Sequence, residues 1–222
     1  MPRQARVIAI NQAHHVYQRP QPKRVIFNTD KDYEVYLGLL TEYAKKFKVD
    51  VLAYCLLKKH IHLVLKPKTK TGLAQLMGRV QFHYAAYYNN KRKAPVDLWR
   101  NRYQSCPVDT KKVWSVVHFV ETLPVAEKLV TTPSKYLFSS AKAHQKWKDT
   151  LGLLCLNAWP GKRNQKKLTD LTKKVIDAEV ADYIRMTTQT GRPWGTDLFV
   201  TGLEKTLKRT LKSRAVGRPR KD

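Results

Sequence analysis

The 222 residues carry 43 lysines and arginines against 17 aspartates and glutamates, a formal net charge of +26, and 42% of them are hydrophobic. That hydrophobic share excludes a disordered chain. The charge excludes an enzyme of small neutral molecules, because self-repulsion at this level destabilises a compact state unless a polyanion offsets it. No run approaches the roughly 20 apolar residues of a membrane helix, so no membrane partner is expected. The opening stretch MPRQARVIAINQAHH lacks the apolar core and cleavage site of a signal peptide. Cys55, Cys106 and Cys155 are odd in number and widely spaced, with no C-x-x-C pair. This fits a cytoplasmic protein and argues against a zinc finger.

Residues 1–29 alternate short apolar runs (Val7 to Ile10, His15 to Tyr17, Val25 to Phe27) with polar ones, and read as strands joined by a turn at Pro20 and Pro22. Asp30 or Asp32 caps a helix to about Phe47, with Tyr36, Leu39, Leu40 and Tyr43 on one stripe. A strand from Val49 to Leu57 and another from His60 to Leu65 follow, the second ended by Pro67. Thr71 or Gly72 opens a second helix to about Asn89, and Asn89 to Pro95 is a basic loop. Trp99 to Cys106 suits a short strand; Asp109 then caps a third helix to Leu123, stopped by Pro124. Helices interleaved with strands in this way predict an α+β fold with helices on a mainly antiparallel sheet. Beyond about residue 150, Trp159 to Asn164 reads as a linker, and Thr169 to Met186 and Asp197 to Leu211 as helices. The organisation expected is a domain over 1–150, a helical extension over 151–211 and a basic tail over 212–222.

The sharpest local feature is Lys59-His60-Ile61-His62-Leu63-Val64-Leu65. Side chains alternate across a strand, so His60 and His62 share one face, and Ile61, Leu63 and Leu65 face a helix layer on the other. Two imidazoles on one face suit a divalent ion, which in phosphodiester chemistry polarises the scissile phosphate. Two ordinary surface histidines are the competing reading of the triplet taken alone.

Several segments together resemble the HUH (IS200-like) transposases, in particular the REP-associated tyrosine transposase branch. They are His14-His15-Val16-Tyr17-Gln18-Arg19, then Ala53 to Leu57 leading into His60-Ile61-His62-Leu63, then Leu98 to Pro107, and Val130 through Pro133 and Tyr136 to Ser139-Ser140-Ala141. The resemblance covers about residues 4–145. It implies a ferredoxin-like sheet with His60 and His62 as metal ligands, assisted by Mg2+ or Mn2+. It further implies a helix-borne tyrosine that attacks a DNA phosphate and becomes linked to the 5′ phosphate. The implied substrate is single-stranded DNA beside a hairpin of a repeated palindromic element. The implied location is cytoplasmic and nucleoid-associated, and the protein a monomer or homodimer.

At the nucleophile helix the chain departs from the family pattern of Tyr, two or three residues, Asn, then Pro. The matching stretch is His118-Phe119-Val120-Glu121-Thr122-Leu123-Pro124. Phe119 falls at the nucleophile position and Leu123 where the family has a polar metal-binding residue, and i and i+4 share a helical face. Three accounts stay open: a descendant that only binds DNA, a substitution introduced to block cleavage, or another nucleophile, with Tyr84, Tyr87 and Tyr88 as candidates. Thr122 or water is the substitute ligand considered for Leu123.

For DNA contact, Arg79, Lys91, Arg92, Lys93, Arg100 and Arg102 interleave with Tyr87, Tyr88, Trp99 and Tyr103. Cations for phosphates and rings for bases are what single-strand binding requires; core packing is the alternative for the rings. Gly217-Arg218-Pro219-Arg220-Lys221 resembles an AT-hook core, with Arg218 and Arg220 suited to a narrow minor groove, or else a generic basic tail. An RNA partner is the remaining rival.

Overall fold

The computed structural model describes residues 5–93, 95–158 and 176–211. Its first half runs β1 (Ala13–Gln18), α1 (Asp30–Lys46), β2 (Val49–Leu57), β3 (His60–Pro67), α2 (Gly72–Arg92) and β4 (Gln104–Val108). Each of the two β-α-β crossovers skips a place in the sheet, so the strand order is β2-β3-β1-β4, with every pair antiparallel. This βαββαβ arrangement is the ferredoxin-like topology. The helices α3 (Val113–Ala126), α4 (Ala141–Lys146), α5 (Ala178–Thr190) and α6 (Asp197–Leu207) follow.

Alternation along the strands divides the core in two. Val16, Leu56, Ile61, Leu63 and Leu65 face α1 and α2, where Tyr36, Leu40, Leu76, Val80 and Tyr84 close the layer. Complete burial of each aliphatic chain contributes roughly 1.5–3 kcal/mol. The opposite face, with Ala13, Cys55, Leu57, Val64 and Cys106, is covered by Val116, Val117, Val120 and Leu123 of α3 and by Ala181 and Ile184 of α5. A bulge between Val51 and Ala53 puts Leu52 and Ala53 in this second layer together. Thr29, not Asp30 or Asp32, is the N-cap of α1; Asp32 completes the cap from the first turn, its Oδ2 accepting from the N–H of Asn28 and Thr29 (2.8 and 2.9 Å), and Lys91 donates to its Oδ1 at 2.7 Å.

Several expectations change. Val7–Ile10 and Val25–Phe27 are not strands. Val7 and Ala9 instead pack with Leu203 and Leu211, joining the start of the described chain to its end. Ile26 and Phe27 are buried between the sheet and the two helices, where Ile26 N–H donates to Lys58 O. The fourth strand begins at Gln104, not Trp99; Trp99 makes only an isolated bridge to Pro20. Asp109 caps a 3-10 turn, Thr110–Lys112, that precedes α3. Pro124 does not stop α3, which continues to Ala126, because a proline forfeits one hydrogen bond while Val120 and Leu123 anchor the helix on the sheet. The first late helix starts at Ala178, after its cap Asp177, and runs to Thr190, past the expected Met186, and the second ends at Leu207, short of the expected Leu211. The expected linker and the 212–222 tail, with Arg218 and Arg220, lie outside the described residues.

Candidate active site and nucleic-acid interface

His15 and Tyr17 of β1 project from the same sheet face as His60 and His62 of β3, with Tyr17 directly opposite His62 in the register. This places three imidazoles and a phenol in one row. The His15 and His62 rings stack, with centroids 5.1 Å apart, and Tyr17 lies 4.9 Å from His62 and 6.2 Å from His60. Together with Phe119, Leu123, Glu127 and Arg185 they line a recess of about 180 Å³.

A row of close polar contacts runs along these side chains. Thr188 Oγ1 meets His15 Nδ1 at 2.7 Å, His15 Nε2 meets His62 Nδ1 at 2.9 Å, and His62 Nε2 meets His60 Nδ1 at 3.1 Å. His60 Nε2 ends the row 2.5 Å from Glu127 Oε1. Burial pushes His15 down to about 3; burial, then the charges of His15, His60 and Arg185, hold His62 well below the ordinary imidazole range. Both rings are therefore neutral at pH 7, each with one N–H. When His62 donates from Nδ1 to His15 and His60 donates from Nε2 to Glu127, two lone pairs converge at His62 Nε2 and His60 Nδ1. Their 3.1 Å separation is close to the roughly 3.0 Å between adjacent ligands each about 2.1 Å from one octahedral ion. The far nitrogens are held as metal-binding histidines usually are, by a carboxylate and a second ring. The pair thus fits a divalent ion, but it supplies two ligands only. Among the described residues no group of three or more His, Cys, Asp or Glu surrounds a single cation position.

Phe119 and Leu123 line the recess, so both departures fall at one site. Phe119 is 1% exposed, edge-on to His15 and His62 at 5.7 and 5.6 Å, with the Arg185 guanidinium 5.3 Å over its ring. Thr122 does not replace Leu123: its hydroxyl donates to the carbonyls of His118 and Phe119. Tyr84, Tyr87 and Tyr88 belong to α2, packed with the core on the other side of the sheet. Tyr84 donates to Ile26 O and Tyr87 to Asp32.

A second, open cleft of about 440 Å³ adjoins the recess; both are lined by Tyr17, Thr188 and Gln189. Arg6, Arg19, Arg100, Arg102 and Arg209 bring five guanidiniums to it. Arg6 lies 3.6 Å over the Tyr103 ring and donates to Tyr103 O. Three buried polar atoms of the cleft walls, Gln18 Oε1, Tyr103 Oη and Ser105 Oγ, have no hydrogen-bond partner. Such orphans are costly unless a ligand or water meets them.

Of the residues expected to contact DNA, Arg100, Arg102 and Tyr103 meet in this cleft. Arg79, Lys91, Arg92 and Lys93 are on or just after α2 and do not line it. Lys91 is paired with Asp32, and Arg92 lies over the Tyr88 ring. Trp99 donates to Gln81 O and packs near Tyr84. The sequence reading did not single out His15, Tyr17, Glu127, Arg185 or Thr188. For His15 and Tyr17 the signal was present, since His15-x-Tyr17 repeats the same-face spacing of His60-x-His62. Glu127 follows Leu123 by four residues, one helical turn.

A solved REP-associated tyrosine transposase bound to a REP hairpin superposes with a TM-score of 0.57 at 15% identity, covering 73% of this chain and 93% of that one. At that identity the likeness bears on the fold. A transposase candidate from Deinococcus radiodurans R1 gives a TM-score of 0.38 at 13% identity, covering 55% and 97%. No curated protein matches the sequence. The family described as "Transposase IS200 like" matches residues 9–122, just over half of the chain. With its departures at Phe119 and Leu123, the chain belongs to the IS200-like transposase family.

Proposed function

We propose that this protein binds structured single-stranded DNA, a hairpin with an unpaired flank, by seating the flank in the arginine cleft and bringing one phosphate to His60 and His62. The observation that carries this reading is the continuity of the two cavities, which share Tyr17, Thr188 and Gln189. Guanidiniums neutralise phosphates along the cleft, and the unpartnered Gln18, Tyr103 and Ser105 groups offer hydrogen bonds to unstacked bases. The hairpin in the related solved complex supports the partner by analogy.

Within the recess each side chain has a separate task. Glu127 and His15 fix the ring orientations of His60 and His62, and Thr188 fixes His15. Phe119 and Leu123 present apolar walls that keep water from the imidazoles. The family generally depends on a divalent metal, and magnesium or manganese held by His60 and His62 supplies charge stabilisation at a bound phosphate. Strand nicking cannot use position 119, since phenylalanine has no hydroxyl. A nuclease-dead binding module is the second reading, favoured by the burial of Phe119 against both His15 and His62.

We place the transposase-like unit at about residues 1–150, the helical extension at 151–211 and the basic tail at 212–222, in a nucleoid-associated cytoplasmic protein acting as monomer or homodimer. The tail arginines Arg218 and Arg220, with Arg79, Lys91, Arg92, Lys93 and Trp99, are assigned at most auxiliary DNA contacts. The test is a native gel shift with one hairpin made as single-stranded DNA, as a fully paired duplex and as RNA. Preferential retention of the single-stranded DNA form, weakened by Arg100→Ala with Arg102→Ala, is expected. Equal or tighter binding of the RNA form would overturn the reading.

A further inference from the structure

We propose that Tyr17 is the nucleophile of this protein, supplying from strand β1 the phenol that Phe119 lacks. The inference rests on the DNA-binding reading above and deepens it. Of the eleven tyrosines in the chain, Tyr17 alone lines the recess that holds His60 and His62. It also lines the arginine cleft, so a strand passing from one cavity to the other passes its ring. The ring is half-buried, opposite His62 across the β1–β3 pair, which fixes it on the histidine face. Arg19 and Arg100 line the same cleft as its ring, and Glu127 lines the recess. Two guanidiniums in the cleft beside a phenol suit a phosphodiester there, because each can hold a non-bridging oxygen while the nucleophile approaches.

The step balances without a further reactant. Tyr17 Oη attacks phosphorus, the phosphorus–O3′ bond breaks, and the 5′ phosphate stays on the tyrosine as a diester. The phenolic proton is carried by water to the departing 3′ oxygen. The covalent bond keeps the energy of the phosphodiester, so attack by a 3′ hydroxyl reverses the step and rejoins a strand.

The experiment incubates the full chain and manganese with a pool of single-stranded hairpins carrying randomised unpaired flanks. Each sample is divided between a native gel, a denaturing protein gel and peptide mass spectrometry. The expected result is a denaturation-resistant protein–DNA adduct whose nucleotide maps to the peptide containing Tyr17. The adduct is lost in Tyr17→Phe, whereas the circular dichroism of that variant is retained. An adduct on another residue, such as Thr188, overturns the proposal, as does cleavage with no adduct. A native shift with neither cleavage nor adduct overturns it too, while leaving the DNA-binding reading intact. Absence of any shift overturns both.

Discussion

His62 turns its Nδ1 to Nε2 of His15, 2.9 Å away, and this one contact decides which nitrogen of His62 faces His60. Without it the His62 ring could rotate and the paired lone pairs would be lost. His15→Ala should therefore weaken manganese binding about 10–100-fold, the usual cost of losing a group that orients a metal-binding histidine. Glu127→Gln should weaken it in the same direction. Titration followed by electron paramagnetic resonance reads both, and unchanged affinity in both variants would refute the proposed roles.

Leu123 lines the recess wall one turn from Phe119, at the position where the proposed site would take a third ligand. Leu123→Asn should tighten manganese binding, whereas Phe119→Tyr alone should leave it unchanged, because a neutral phenol is a poor ligand. Calorimetric titration of the two variants and their combination distinguishes the contributions.

Acid should destabilise the protein well before most of its carboxylates are protonated. His14 is fully buried, accepts from Ala9 N–H through Nε2 and donates from Nδ1 to Gln12 O, an arrangement that only the neutral ring can make. Burial lowers it from 6.5 to about 4, against the opposing hydrogen bond to Gln12. The unfolded chain takes up that proton first as pH falls below 6.5, so stability declines from 6.5 down to about 4. The full effect is on the order of 3 kcal/mol. Asp32 acts in the same direction but in a lower window. Burial disfavours its charge, but hydrogen bonds from Lys91, Asn28, Thr29 and Tyr87 prevail and hold it at about 2. Its contribution is complete above 3.8 and is lost as pH falls through 2. Urea melts between pH 7 and 4 test the first window, and a flat profile would contradict it.

Glu121 and His144 form a fully buried pair at 2.5 Å, and Ser140 donates to the same carboxylate oxygen. Deleting one member of such a pair leaves the other uncompensated, at a cost of roughly 3–5 kcal/mol. His144→Ala should lower the denaturation midpoint accordingly. A loss below about 1 kcal/mol would mean that Glu121 finds another partner.

Arg100 and Arg102 should each contribute to the salt dependence of hairpin binding. Removing one phosphate contact to a single strand lowers the slope of log affinity against log salt by about 0.7. Arg79→Ala, remote from the cleft, should alter it less. Filter binding across a salt series measures all three.

The succession from α1 to β4 was legible because its signals are local: acidic residues in the first turn of α1, alternation in Ile61, Leu63 and Leu65, and Pro67 at the end of β3. The histidine pair was legible for the same reason, since spacing of two within one strand fixes a shared face. The remainder of the recess depends on tertiary placement. His15 and Tyr17 became site residues only when β1 paired with β3, and Arg185 and Thr188 only when α5 lay on β4 and α3. The failed strands at Val7–Ile10 and Val25–Phe27 have a common cause. Apolar pairs there are buried by helices, and burial alone does not distinguish an irregular segment from a strand.

Thr188, which anchors the histidine row, and Arg185, which covers Phe119, stand more than sixty positions beyond residue 122, where the family match ends. A chimera taking residues 9–122 from this chain and the remainder from a relative would inherit the imidazoles without the residue that fixes them. Recombination between relatives would thus transmit the histidine motif more readily than its working geometry. Thr188 would have to be transplanted along with it.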